Sequence, residues 1–148
     1  MNAIQLPLPE PQKPLFGPAI YAYTRAQAIE DGVLVDVTET AKEIGFKLPV
    51  AITEALHCRL TPTKADQIFG QGYDSRLWDV LWLAAFTIKL ANRGPDTVTF
   101  TVSQQEVDGK SGRPQNTDLR LRAVCGPGDE GEPVVTIGFP EDFVRREA

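Results

Sequence analysis

The sequence predicts an α+β domain in which short N-terminal helices and one long central helix pack on a small C-terminal antiparallel meander of about three strands. Three observations carry that expectation. Apolar residues recur at helical spacing through residues 75–92, the apolar period drops to two after Pro95, and glycine-rich turns separate the alternating stretches that follow. Length sets the scale. A chain of 148 residues suits one domain, and a domain of that size buries roughly 70% of the surface its unfolded chain exposes, so it needs no disulfide or metal staple.

The elements follow in chain order. Residues 1–18 (MNAIQLPLPEPQKPLFGP) hold five prolines. Each removes an N–H and restricts the residue before it, which predicts an extended arm. Leu6, Leu8, Leu15 and Phe16 give that arm apolar side chains with which to dock on the domain surface. Residues 19–142 are expected to form the single α+β domain and residues 143–148 a frayed, charged tail. Within the domain, Ile20 to Tyr23 alternate like a short strand. Thr24 caps a two-turn helix, Arg25 to Asp31, that stops at Gly32. Val33 to Val37 is apolar and β-rich, and Thr38 caps a second short helix, Glu39 to Ile44, closed by Gly45. Pro49 and Val50 lead into a third helix that starts at Thr53 or earlier and ends near Arg59. Residues 63–71 form one more, capped by Thr63 and ended by Gly70 or Gly72.

The strongest element is the long helix over residues 75–92, capped by Asp74 or Ser75 and stopped by Gly94-Pro95. At 100° per residue, Leu77, Val80, Leu81, Ala84, Ile88 and Ala91 share one arc, the expected core face. Val98, Phe100 and Val102 then alternate with Thr97, Thr99, Thr101 and Ser103 as a half-buried strand. Polar residues 104–116, with Gly109, Gly112 and Pro114, read as a loop or long hairpin tip. Thr117 to Cys125 is a second strand, with Arg120 and Arg122 facing outward. Gly126 to Glu132 is a turn, and Pro133 to Phe139 a third strand. Strands joined in order by turns favour a meander, and the apolar helix before them is its natural cover.

Charge narrows the function. The chain has 15 basic and 20 acidic residues, a net −5. Residues 1–74 carry 9 acids and 6 bases and residues 75–148 carry 11 and 9, so neither half is a basic arm or an acidic tail. Nucleic-acid binding draws on a dense Lys/Arg patch, and direct nucleic-acid contact is therefore disfavoured. No apolar run approaches the ~20 residues of a bilayer span, so no membrane is expected as partner. The proline-rich start lacks the roughly 7–15-residue apolar core of a secretory leader, which makes the cytoplasm the expected compartment.

Chemistry-bearing residues are sparse. His57 and Cys58 are adjacent, and neighbours on a helix point about 100° apart and do not meet. With one histidine and two cysteines, Cys58 and Cys125, a structural zinc site lacks ligands unless carboxylates complete it. The thiols are expected to be free and packed. The turn GPGDEGE lacks the lysine and spacing of a phosphate loop, and Asp129, Glu130 and Glu132 would repel phosphate. Gln104-Gln105-Glu106 has the glutamine–x–glutamate form found in some ADP-ribosyltransferases, without their other motifs. No catalytic residue, metal or cofactor is expected.

Trp82 and Phe86 carry more information. On the helical wheel they sit with Asp79, Lys89 and Arg93, opposite the core arc. Large aromatics on a polar stripe are either covered by another part of the chain or available to a partner. Trp82, Phe86 and Arg93 on the helix, and Arg120 and Arg122 on the outer face of the sheet, are the candidate partner-binding residues.

Three segments in order carry a resemblance: YAYTRAQAIEDGVLVDVTETAKEIGFKLPVAIT (residues 21–53), RLWDVLW (76–82) and AVCGPGDEGEPVVTIGFP (123–140). Together they resemble a family of small proteins with a domain of unknown function, encoded mostly on bacterial plasmids, phages and integrated elements. The chain departs from that pattern in being short before RLWDVLW and in carrying the proline-rich arm. The family has no established activity, so the resemblance transfers no functional residue. What it implies is company: accessory proteins of mobile elements act on host defence or on plasmid upkeep. The expected function is then a non-enzymatic protein-binding accessory protein, such as an inhibitor of CRISPR–Cas. Its expected partner is a protein, a host defence complex among the candidates, with self-association left open. The alternative is a small enzyme of ADP-ribosyltransferase-like or unknown type.

Overall fold

The computed structural model describes residues 23–91 and 96–143. Their order is α1 (Arg25–Glu30), β1 (Leu34–Asp36), α2 (Thr38–Ile44), β2 (Val50–Thr53), α3 (Glu54–Leu60), α4 (Lys64–Ile68), α5 (Tyr73–Ala91), β3 (Thr97–Val107), β4 (Pro114–Pro127) and β5 (Pro133–Gly138), closed by a 3₁₀ turn at Pro140–Phe143. The expected arm, the Ile20–Ala22 part of the first expected strand, Arg93, the Gly94-Pro95 stop and residues 144–148 lie outside the described residues.

Local chemistry explains most boundaries. Thr24 and Gln27 form a reciprocal capping box on α1, and Thr63 and Asp66 form another on α4. The Thr53 hydroxyl accepts from the Leu56 N–H at the start of α3. Gly32 and Gly45 take φ of +81° and +122° after α1 and α2, where a side chain would be strained. Thr38 departs from its expected role. It is the first residue of α2 rather than its cap, and its hydroxyl bonds Asp36 Oδ1 (2.5 Å) and the Val50 N–H (3.1 Å), tying α2 to β2.

The domain is α+β as expected, but its sheet is not a three-strand meander. Among the described residues it has five strands in the order β1-β2-β5-β4-β3, antiparallel except where β2 runs parallel to β5. Val50, Ala51 and Ile52 lead into α3, but they are a strand rather than a helix start, with Val50 beside Val135 and Ile52 beside Ile137. All three are fully buried, and such a short unbroken apolar run fits a strand covered on both faces. The hairpin is also longer than expected. β3 and β4 pair from Thr97↔Val124 out to Val107↔Pro114, so Gln104 to Val107 and Pro114 to Asn116 are ladder, not loop.

The helices divide between the two faces of the sheet. Phe100, Val102, Leu119, Leu121, Ala123, Val135 and Ile137 form one cluster with Leu56 and Leu60 of α3 and Leu77, Val80, Leu81 and Ala84 of α5. The first short helix, α1, lies on the opposite side. The Arg25 guanidinium donates to Thr136 Oγ1 (2.8 Å) and the Val135 carbonyl (3.0 Å), and Thr136 alternates away from the core. Asp129 in the β4–β5 turn accepts from the N–H groups of Arg25 and Ala26, which fixes the start of α1.

Ile88 corrects the expected core face of α5. It falls on the apolar arc, yet it is 38% exposed where Ala84, one turn earlier, is fully buried. Beyond Ala84 the helix leaves the sheet and opens a groove of about 460 Å³, walled by Ile44, Phe46, Ile88, Val98, Cys125 and Val135.

Candidate protein-docking surface

The outer face of α5 is apolar where solvent-facing helices are usually polar. Trp78, Trp82, Phe86 and Leu90 recur every fourth residue and are 41, 51, 47 and 69% exposed. At 1.5 Å per residue they span about 18 Å along one side of the helix. Trp82 and Phe86 stack, with ring centroids 5.4 Å apart and planes 9° from parallel. The stacking holds the two rings against each other as one unit. Asp79 and Lys89 are exposed on either side of its midline.

Both aromatics named from sequence are thus on the surface, uncovered by any described element. Trp78 and Leu90 extend the same patch and were missed, although their spacing of four from Trp82 and Phe86 was the signal. Arg93 lies outside the described residues.

Arg120 and Arg122 do face outward, on the side of β4 away from the core residues Leu119, Leu121 and Ala123. Arg120 stands opposite Thr101 and Arg122 opposite Thr99 and Gly138. Arg120 is exposed, whereas Arg122 is half-buried and its Nε is buried without a hydrogen-bond partner among the described residues. The sheet separates these arginines from α5, so the two candidate sets form two surfaces rather than one.

The inner side of α5 holds the most polar part of the interior. Arg76 and Asp66 are 5 and 4% exposed, and Arg76 Nη2 lies 3.3 Å from Asp66 Oδ2. Arg76 also donates to the carbonyls of Leu60 (3.2 Å) and Gln105 (2.6 Å). Burial alone would raise the Asp66 carboxyl. The N–H groups of Thr63 and Val107, with the Thr63 hydroxyl and Arg76, outweigh it and hold the group below the ordinary carboxylate range. The pair bolts α4, α5 and β3 together.

Other chemistry is either structurally engaged or isolated. Gln104 is buried, and its amide donates to the Arg59 carbonyl (3.1 Å) and to Glu106 (2.9 Å), which in turn pairs with the Arg59 guanidinium. The glutamine and glutamate of the Gln104-Gln105-Glu106 run therefore serve this packing. A shallow cleft of about 270 Å³ gathers Asp36, Glu39, His57, Tyr73 and Asp74. His57 Nδ1 and the Tyr73 hydroxyl are 2.8 Å apart across it, and burial, then the nearby Asp74, pushes the Tyr73 phenol up. Cys58 and Cys125 are both free. Cys125 is half-buried in the groove wall, but Cys58 is exposed rather than packed. Among the described residues no cluster of His, Cys, Asp and Glu has the makings of a metal site, and no helix is long and apolar enough to cross a membrane.

The chain matches no curated protein. It matches no solved structure either. One family does match, over residues 16–143, which takes in every element described above and begins just inside the proline-rich segment. The chain belongs to that family, a family of unknown function designated DUF6573.

Proposed function

We propose that this chain acts by binding protein, without chemistry of its own, as an accessory protein of a mobile genetic element directed at a host defence complex such as CRISPR–Cas. One observation carries the binding part. A solvent-facing ridge of three aromatics and a leucine, rigidified by the Trp82–Phe86 stack, is the kind of surface that binding energy concentrates on. Arg120 and Arg122 supply a second surface across the sheet. The mobile-element and defence parts rest on the resemblance of residues 21–53, 76–82 and 123–140 to proteins of such elements.

The test is capture of proteins from a host lysate, read by mass spectrometry, with wild type beside two double variants. Trp82→Ala/Phe86→Ala or Arg120→Ala/Arg122→Ala should weaken capture more than tenfold, about 1.4 kcal/mol, with melting temperature unchanged. Equal capture by wild type and both variants overturns the reading.

The second reading, an enzyme, is favoured by the His57–Tyr73 pair and the carboxylates around it in one cleft. Turnover of a nucleotide cofactor by the purified chain, abolished in His57→Ala, would replace the binding reading with this one.

A further inference from the structure

The ridge on α5 has a symmetry that identifies its occupant. Counted outward from Ala84, residues 78–90 (WDVLWLAAFTIKL) nearly mirror themselves. On the outer face Trp82 answers Phe86 and Trp78 answers Leu90. The one matched pair of charges, Asp79 and Lys89, is opposite in sign. We propose that the outer face of α5 binds the same face of a second copy, antiparallel, about a two-fold axis at the level of Ala84. The proposal rests on the reading of this face as a protein interface and names what fills it.

Antiparallel pairing about that level sets Trp82 against the Phe86 of the other copy, and by symmetry Phe86 against its Trp82, so the two stacked pairs meet at the centre. Trp78 comes to the level of Leu90. Asp79 comes to the level of Lys89, and with helices crossing at about 20° and 8–10 Å apart, the lysine stem spans the gap. Both ends of the interface gain a pair of opposite sign. A parallel arrangement would instead put Asp79 beside Asp79 and Lys89 beside Lys89, so the charges select direction as well as partner. Area agrees. The exposed parts of Trp78, Trp82, Phe86 and Leu90 amount to on the order of 500 Å² per copy, hence about 1,000 Å² for the pair, where specific interfaces begin. This arrangement hides the helix face and leaves Arg120 and Arg122 on the outside of the dimer, free to meet a partner of different sequence.

The experiment is sedimentation or light scattering on the full chain over a dilution series at low salt. Twice the 16.3 kDa chain mass is expected. Asp79→Lys alone, or Lys89→Asp alone, should weaken the dimer at least tenfold, with circular dichroism and melting of the subunit unchanged. The double exchange Asp79→Lys/Lys89→Asp should restore it. A monomer up to about 100 µM, or a dimer indifferent to the single exchanges, overturns the self-pairing. Neither result touches the reading of α5 as a docking face for another protein, which fails if the chain is monomeric and Trp82→Ala/Phe86→Ala still retains full capture of protein partners.

Discussion

The two faces of α5 invert the usual division of a helix. Its inner face begins with a charged side chain, Arg76, and its outer face carries three aromatics and a leucine. The difference is one of partners. Arg76 has a carboxylate and two carbonyls around its Nη atoms, which offset most of its burial, and its Nε alone finds no hydrogen-bond partner among the described residues. Trp78, Trp82, Phe86 and Leu90 are matched by nothing among the described residues. A buried charge with partners is architecture. An exposed aromatic row without them is the kind of surface that marks interaction sites in other proteins.

The sharpest way to break that contrast is to strip the inner face of its compensation. Asp66→Ala leaves Arg76 charged and buried, and should cost about 3–5 kcal/mol of unfolding free energy in a urea titration. Acid does the same more gently. The folded-state pKa of Asp66 lies below its unfolded value, so the stabilisation is complete above about pH 4 and is lost as pH falls through the folded value. Melting temperature should therefore drop below pH 4 more steeply in wild type than in Asp66→Asn.

Next comes the apolar part of the inner face. Leu81→Ala, fully buried, should cost about 2–5 kcal/mol. Ile88→Ala, on the same arc but over the groove, should cost under about 1 kcal/mol. Equal costs would mean that the groove closes in solution. The smallest effect belongs to the outer face. Trp82→Ala should change subunit stability by about 0.5 kcal/mol or less, measured under conditions where the chain is monomeric. A large loss there would show that the aromatic row is covered from within the chain and would erase the contrast.

Much of this was legible in the sequence because it was local. Thr24, Thr53 and Thr63 announced three helix starts, Gly32 and Gly45 two helix ends, and Val98, Phe100 and Val102 the inward rhythm of β3. What escaped needed tertiary knowledge. Val50-Ala51-Ile52 has no alternation to read, since all three are buried whichever face they take, so a strand looked like a helix entry. The polar ends of the β3–β4 hairpin looked like a loop because their ladder extends past the core. Ile88 obeyed the wheel, but no wheel records where a helix diverges from the sheet beneath it. The candidate site was half legible. Trp82 and Phe86 stood out as misplaced aromatics, whereas the Asp66–Arg76 bond joins two helices that only folding brings together.

The position of β5 carries a consequence for the order of events in making this protein. It is the last strand in the described chain, yet it sits in the middle of the sheet, between β2 and β4. Val50 waits for Val135, 85 positions further along. During synthesis, at about 5–20 residues per second, β1 and β2 emerge seconds before the strand that completes them. Until then the inner edge of β2 offers unpaired N–H and C=O groups beside side chains destined for full burial. Such an edge can template the wrong pairing. A stalled chain that has left the exit tunnel only as far as the β4–β5 turn should therefore have competent helices but a sheet in two pieces. Force or protease applied to stalled chains of increasing length should register native resistance in a single step, once β5 has cleared the exit tunnel.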